Sequence, residues 1–426
     1  MEIAELYSIY KDHSSIKTNN RKIENGDIFF ALKGPNFNGN NFAIQALNAG
    51  AAYAVFDEEI NEANDRLIKT NDVLQTLQQL AKHHRKQFDI PFIAITGSNG
   101  KTTTKELIHQ VLSTTYKTYT TEGNLNNHIG IPLTILKIKS DAQIAVIEMG
   151  ANHLKEIESY CEYTLPTHGL ITNCGKAHLE GFGSIEGVRK GKGELFDYLR
   201  KNNGVAFLNS DDEVLKTMSA GIKEIITYGT TNAFVKGNAL NSSSLLEVEI
   251  TTPAIGKIKT NLIGEYNLPN VLAAVAVAKY FNVEDEKLKA SLESYQPTNS
   301  RSQLIIKDSN KIILDAYNAN PSSMKAAIIN FAKMGGEDKV MMLGAMMELG
   351  NDSEDEHMSI IKLIDEYKWK AVVLVGENFR KINKNFISFE NAHEAAEWFK
   401  QQHFQNTNIL IKGSRATKME SVLQGL

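Results

Sequence analysis

The stretch Gly97-Ser98-Asn99-Gly100-Lys101-Thr102-Thr103-Thr104 restricts this chain more than any other, because an apolar run over residues 92–96 leads straight into it. Two glycines let the backbone turn tightly, and a lysine and three threonines then open a helix. In such a turn successive backbone N–H groups point inward and, with the positive helix end, cradle a polyphosphate. Lys101 is expected to span the β- and γ-phosphates as a point charge, and the Thr102 hydroxyl to ligate Mg²⁺. Ile95 stands where the longer form of this pattern has its first glycine. A plain glycine turn with a surface lysine would not require the strand, the helix and the Lys-Thr-Thr run together, so the reading is a nucleotide site. Gly97, Asn99, Gly100, Lys101, Thr102 and Thr103 are its expected contacts.

Around this loop the chain alternates buried strands with helices. Apolar runs at 143–148, 169–172 and 205–208, separated by helical segments, predict a mostly parallel sheet covered on both faces. Residues 244–250 and 255–263 predict antiparallel hairpin strands appended to it, and 296–300 a linker. Strands at 311–314, 340–343, 371–375 and 409–411 then form a second, Rossmann-like α/β unit. Ahead of the loop, strands at 28–32 and 52–56 flank a Gly/Asn-rich turn and a helical pattern. A further helix with apolar spacing ends in a basic stretch at 83–86, where the first boundary is expected. The fold class is α/β. A chain of 426 residues exceeds one core, so two or three domains follow.

Several classes are excluded at this stage. A net charge of −4 argues against a broad nucleic-acid-binding face, though not against a local phosphate pocket. Cys161 and Cys174 have no metal-ligand spacing and read as reduced cytosolic thiols. The N-terminus lacks a basic and an apolar signal region, and the apolar run 271–278 is too short to span a bilayer. A cytoplasmic protein without membrane insertion is expected.

Glu148 ends a buried strand where an open parallel sheet holds its ligand, so it is either a surface acid or a Mg²⁺ ligand opposite Thr102. His178 lies in the turn Asn173-Cys174-Gly175-Lys176-Ala177-His178, just after another strand. Lys190 and Lys192 sit on a helix, ordinarily a solvated face. No guanine-reading Asn-Lys-x-Asp occurs, which argues against a switch GTPase.

In this order these segments resemble the Mur ligase family, over nearly the whole chain. The resemblance implies three domains: a small α/β UDP-sugar-binding domain at 1–82, a central P-loop ATPase domain at 83–297 and a C-terminal Rossmann-like domain at 298–426. It implies an ATP-dependent amide-bond ligase in which Glu148 and His178 bind Mg²⁺, two ions being expected. Lys192 would carry a CO₂-derived carbamate that holds the second ion, with Lys190 the competing choice. Lys101, His178, Lys192 and Arg301 are then the catalytic set, Arg301 reaching the γ-phosphate. The segment Gly264-Glu265-Tyr266-Asn267-Leu268-Pro269-Asn270 resembles the family's adenine-holding segment. There Asn267 and Asn270 carry over, Tyr266 replaces the usual histidine, and Asn267 also reads as a helix cap. Asp315 would accept from the ribose hydroxyls.

Within the family, Asn124, Asn126 and Asn127, the Asp315-Ala316-Tyr317-Asn318-Ala319-Asn320 segment and Lys412-Gly413-Ser414-Arg415 resemble the ligase that adds D-alanyl-D-alanine to UDP-muramoyl-tripeptide. Asn124, Asn126, Asn127, Asn318, Asn320, Lys412, Ser414, Arg415 and, in the first domain, Arg21 are the implied substrate contacts. Asn19 and Asn20 depart from the common pattern before Arg21, and Ala345 replaces a frequent Asp in the Gly344–Gly350 segment, where Glu348 and His357 are candidates for the acceptor pocket. Another Mur-type or folylpolyglutamate-type ligase and a silent P-loop module are the competing readings. A monomer acting on small molecules is expected, with ATP closing the third domain onto the second.

Overall fold

The structure is a computed structural model that describes residues 1–240, 245–298 and 300–425. Ser244 of the expected strand 244–250, Asn299 of the expected linker and the terminal Leu426 lie outside the described residues.

Among the described residues, the central domain is built on nine strands. Seven are parallel, in the order Thr118–Thr120, Ile144–Glu148, Phe92–Thr96, His168–Ile171, Val205–Asn209, Glu224–Gly229 and Val235–Leu240. Leu245–Thr252 and Gly256–Ile263 continue the sheet antiparallel. Alternate residues of a strand face opposite sides. Ile93 and Ile95 accordingly pack with the helices Lys101–Leu112 and Leu268–Tyr280, whereas Phe92 and Ala94 pack with Glu156–Thr164 and Ile185–Lys201. Burial on both faces is why these strands read as continuous apolar runs. Phe92–Thr96 lies between strands that leave it in opposite directions, so its C-terminal end opens on the crevice where α/β sheets bind ligands.

The N-terminal domain is a four-stranded parallel sheet, Ile16–Lys17, Ile28–Phe30, Tyr53–Phe56 and Leu67–Lys69. The expected boundary after residue 82 falls inside the helix Val73–Arg85. That helix docks on the central domain through its last turn: Arg85 donates to the carbonyls of Thr164 (2.9 Å) and Leu165 (3.1 Å). The basic stretch therefore docks on the central domain at the boundary.

Among the described residues, the C-terminal domain has six strands. Gln303–Lys307 is antiparallel to Asn310–Asp315, followed in sheet order by the parallel strands Asn408–Lys412, Lys339–Gly344, Ala371–Val375 and Ile387–Phe389. It is already seated on the central domain: Asn320 Nδ2 donates to Asn99 Oδ1 at 2.8 Å, and Tyr266 and Ser302 share a hydrogen bond of 3.0 Å.

Candidate active site

Gly97 and Gly100 make the phosphate loop sterically possible. Gly97 has φ +141°, and a Cβ there would sit 2.0 Å from Thr172 Oγ1; Gly100 has φ +80° and begins the helix Lys101–Leu112. The neighbouring strand end braces the loop. Thr172 Oγ1 donates to the Asn99 carbonyl at 2.6 Å, while Asn173 donates to that carbonyl at 3.0 Å and accepts from the Asn99 amide at 3.2 Å. Asn173 is not among the residues expected at the site from sequence; its signal was its place at the C-terminal end of the adjacent strand.

A cleft of about 800 Å³ lies over this loop. It gathers Asn99, Gly100, Lys101, Thr102, Thr103, Asn124, Asn126, Asn127, Glu148, His178, Asn267 and Asn270 from the central domain. The C-terminal domain contributes Arg301, Asp315, Asn318, Asn320 and Lys412. Five expected residues do not line it. Gly97 lies beneath the loop, and Arg21 is exposed in the N-terminal domain. Ser414 is buried with its hydroxyl unpartnered, Arg415 is exposed and pairs with Glu420, and Lys192 is buried below the cleft floor.

Charges are concentrated here. The Lys101 ammonium donates to the loop's own carbonyls, Gly97 at 2.6 Å and Ser98 at 3.3 Å. Burial lowers its pKa, Glu148 opposes that shift and Arg301 adds to it. An arriving polyphosphate would restore the compensating negative charge. The Arg301 guanidinium lies 3.5 Å from the centre of the Tyr317 ring, with its Nε buried and unpartnered. Glu148 accepts from Asn126 Nδ2 through Oε1 (2.7 Å), whereas its Oε2 is buried without a partner. Lys192 donates to the Ala151 carbonyl at 2.8 Å; complete burial and repulsion by Lys101 hold its amine well below the ordinary lysine range. Lys190 on the same helix is exposed.

Several of the expected residues also make hydrogen bonds within the protein. Asn267 donates to the Ile263 carbonyl (2.8 Å) and accepts from Asn270 Nδ2 (2.8 Å), and Asn270 Oδ1 accepts from Thr104 (3.0 Å). The pair thus ties the helix Leu268–Tyr280 to the phosphate-loop helix. Lys412 is fully buried and pairs with Asp315 at 2.5 Å, which orients that carboxylate. Asn320 caps the helix Pro321–Lys333, and Asn127 Oδ1 accepts from the amides of Ile129 and Gly130 where Gly130–Leu136 begins. His357 does not reach the cleft: it is buried, with both ring nitrogens bonded to backbone. His178, in contrast, lines the cleft, and its Nδ1 pairs with Glu348 of the C-terminal domain, holding that carboxyl below its usual range.

A nucleotide polyphosphate fits this arrangement: a glycine turn, a lysine, a helix start and an arginine from a second domain. Among the described residues no group of three His, Cys, Asp or Glu side chains forms a ready metal cage. The bare Glu148 Oε2, with the Thr102 hydroxyl in the same cleft, instead suits a hard cation that shares phosphate oxygens.

Three family models match in chain order: "Mur ligase family, catalytic domain" over 13–85, "Mur ligase middle domain" over 95–278 and "Mur ligase, glutamate ligase domain" over 300–415. The chain is 34% identical to the UDP-N-acetylmuramoyl-tripeptide--D-alanyl-D-alanine ligase of Bacillus subtilis, covering 96% of this chain and 92% of the relative. The MurF crystal structure from Acinetobacter baumannii superposes with a TM-score of 0.88 at 32% identity, covering 96% of this chain and 92% of the other. MurF ligase from Thermotoga maritima, in complex with ADP, gives a TM-score of 0.87 at 25% identity over 96% of both chains.

Proposed function

Because the chain belongs to the Mur ligase family, we propose that it joins D-alanyl-D-alanine to UDP-N-acetylmuramoyl-tripeptide using ATP, forming the pentapeptide precursor of peptidoglycan. The observation that carries the reading is the shared cleft, in which the phosphate-loop Lys101 and Arg301 of another domain face the same space.

The first step transfers the ATP γ-phosphoryl group to the terminal carboxylate of the tripeptide, releasing ADP. Lys101 leaves the Gly97 and Ser98 carbonyls to meet the β- and γ-phosphates, and Arg301 meets the charge that develops on the transferred group. Asp315, oriented by Lys412, accepts from the ribose. The D-Ala-D-Ala amine then attacks the acyl carbon, the C–N bond forms, the acyl C–O bond breaks, and phosphate leaves with the former carboxylate oxygen and the proton given up by the amine. Asn124, Asn318 and Tyr317 also line the cleft and would meet the peptide substrates.

Two Mg²⁺ ions belong to this reading. Thr102, the bare oxygen of Glu148, His178 and a carbamate on Lys192 would hold them, and they would supply charge compensation along the polyphosphate. The environment of Lys192 favours that modification. A buried amine kept neutral can attack CO₂ and lose one proton, which exchanges a buried neutral amine for an anionic ligand. Lys190, exposed, has no such drive. Arg21 would meet the UDP-sugar from the N-terminal domain, and Ser414 and Arg415 a later position of the substrate. The reading also takes the enzyme as a cytoplasmic monomer, which light scattering on the purified chain tests. Among the described residues no helix is long and apolar enough to cross a membrane.

The test is ADP release with ATP, Mg²⁺ and UDP-muramoyl-tripeptide, with and without D-Ala-D-Ala. Release that needs both substrates, with a pentapeptide mass in the product, is the expected result. Turnover with a single amino acid on a shorter precursor would move the chain to another step of the family. Tight ATP binding without turnover would leave a silent module.

A further inference from the structure

His178 and Glu348 belong to different domains, yet each adopts a left-handed backbone, φ +53° and +61°, and their side chains meet through Nδ1 and Oε2. Residues with a Cβ disfavour that backbone and hold it where surrounding contacts fix it. Here the contacts come from both domains. The Glu180 amide donates to the Glu348 carbonyl at 3.1 Å, and the Lys176 amide donates to Ser322 Oγ at 3.0 Å. The Lys176 ammonium pairs with Glu356 at 2.5 Å. Behind the Glu348 loop, His357 Nε2 accepts from the Met346 amide at 3.0 Å, and its Nδ1 donates to the Ser353 carbonyl at 2.6 Å. His357 therefore braces the backbone that presents Glu348. On the far side of the pair, His178 Nε2 has no hydrogen-bond partner among the described residues and belongs to the cleft that holds Glu148 and Thr102.

We propose that Glu348 is a positioning residue acting across the domain interface: its carboxylate keeps the His178 proton on Nδ1, so that an unprotonated Nε2 faces the cleft only while the C-terminal domain is closed. A carboxylate beside one ring nitrogen fixes both the tautomer and the ring plane, and makes the other nitrogen the better electron-pair donor. The phosphate site is then incomplete in the open protein. Domain closure supplies Glu348 as well as Arg301, which couples competence to closure through a residue that never touches ATP. What Nε2 serves rests on the ligase reading; the pairing itself rests on the geometry.

The test uses the full chain with ¹⁵N-labelled histidine rings and saturating ADP, the His178 signal being identified by its absence in His178→Gln. The wild type is expected to show the Nδ1–H tautomer at His178. In Glu348→Ala the ring should revert to the Nε2–H form that free imidazole prefers. Its kcat should fall about ten- to a hundredfold, with KM for ATP moving less than about threefold. Glu348→Gln keeps the side-chain shape and should give a mixed tautomer and partial recovery of kcat, and it decides the matter if Glu348→Ala fails to fold. An unchanged wild-type tautomer in the variants, or an unchanged kcat, overturns the proposal. If the wild type makes no pentapeptide, the ligase reading fails while the ring spectra still judge the pairing.

Discussion

Replacing Asn270 by alanine separates a structural role from a direct contact with the nucleotide base. Asn270 Oδ1 accepts from Thr104 at 3.0 Å and its Nδ2 donates to Asn267 at 2.8 Å, in a relay that ends on the Ile263 carbonyl. Thr104, Asn267 and Asn270 are all buried. The substitution removes two hydrogen bonds and leaves the Thr104 hydroxyl and the Asn267 side-chain carbonyl without partners. Each stranded group costs about 1–3 kcal/mol, or roughly 2–6 kcal/mol for the pair. Asn270 also lines the cleft, so water can reach part of the vacated space and reduce the loss to about 2–4 kcal/mol. Urea unfolding monitored by tryptophan fluorescence and circular dichroism should report that loss. Gly100 rests against the Asn270 side chain, so closely that a Cβ at Gly100 would lie 2.6 Å from Oδ1. Removing that side chain loosens the loop and should raise KM for ATP only a few-fold. A tenfold or greater loss of ATP affinity with under about 0.5 kcal/mol of stability lost would refute the relay and put Asn270 in contact with the base.

Other outcomes follow from the same geometry. Lys192→Met should lower kcat by about 10²–10³ and abolish any response to added bicarbonate, while Lys190→Ala, on the exposed face of that helix, stays within about twofold. Equal losses in the two variants would contradict the assignment. Arg301→Ala should lower kcat by a similar 10²–10³ (roughly), with stability changed only by its stacking on Tyr317, about 0.5–1 kcal/mol; kcat and melting temperature measured together separate the two. His168 is buried among Phe207, Tyr280 and Phe281, and burial pushes its pKa from 6.5 down to about 4. The unfolded chain therefore takes up the proton first, so stability present above pH 6.5 is lost as pH falls towards 4. By pH 4.5 the loss should reach about 2–3 kcal/mol, and His168→Phe should shrink it; an identical pH profile in the variant would count against the burial argument.

The phosphate loop was legible because its residues are local: an apolar strand, two glycines and a lysine at a helix start determine one another within thirteen positions of Phe92–Thr104. The buried parallel strands were legible for a similar reason, since burial on both faces writes itself as unbroken apolar runs such as Ile144–Glu148. The choice between Lys190 and Lys192 was open in the motif alone. Helical spacing contained the signal: Val188, Lys192, Leu195 and Leu199 share one buried face, which leaves Lys190 outside. The Asn267–Asn270–Thr104 relay and the His178–Glu348 pair were not legible. Their partners lie 166 and 170 positions apart, and nothing in the local sequence registers a contact made only when distant segments dock. The docking of the helix Val73–Arg85 was hidden for the same reason: nothing in its basic end registers that Arg85 bonds to carbonyls of the next domain.

The central claim is that one cleft between two domains activates a carboxylate as an acyl phosphate, and the fate of a labelled oxygen tests it most directly. With ¹⁸O in both terminal carboxylate oxygens of the tripeptide, the phosphate released in the full reaction should carry one ¹⁸O for each pentapeptide formed. Pentapeptide accompanied by unlabelled phosphate would mean that the carboxylate never bonded to the γ-phosphoryl group, and would contradict the account.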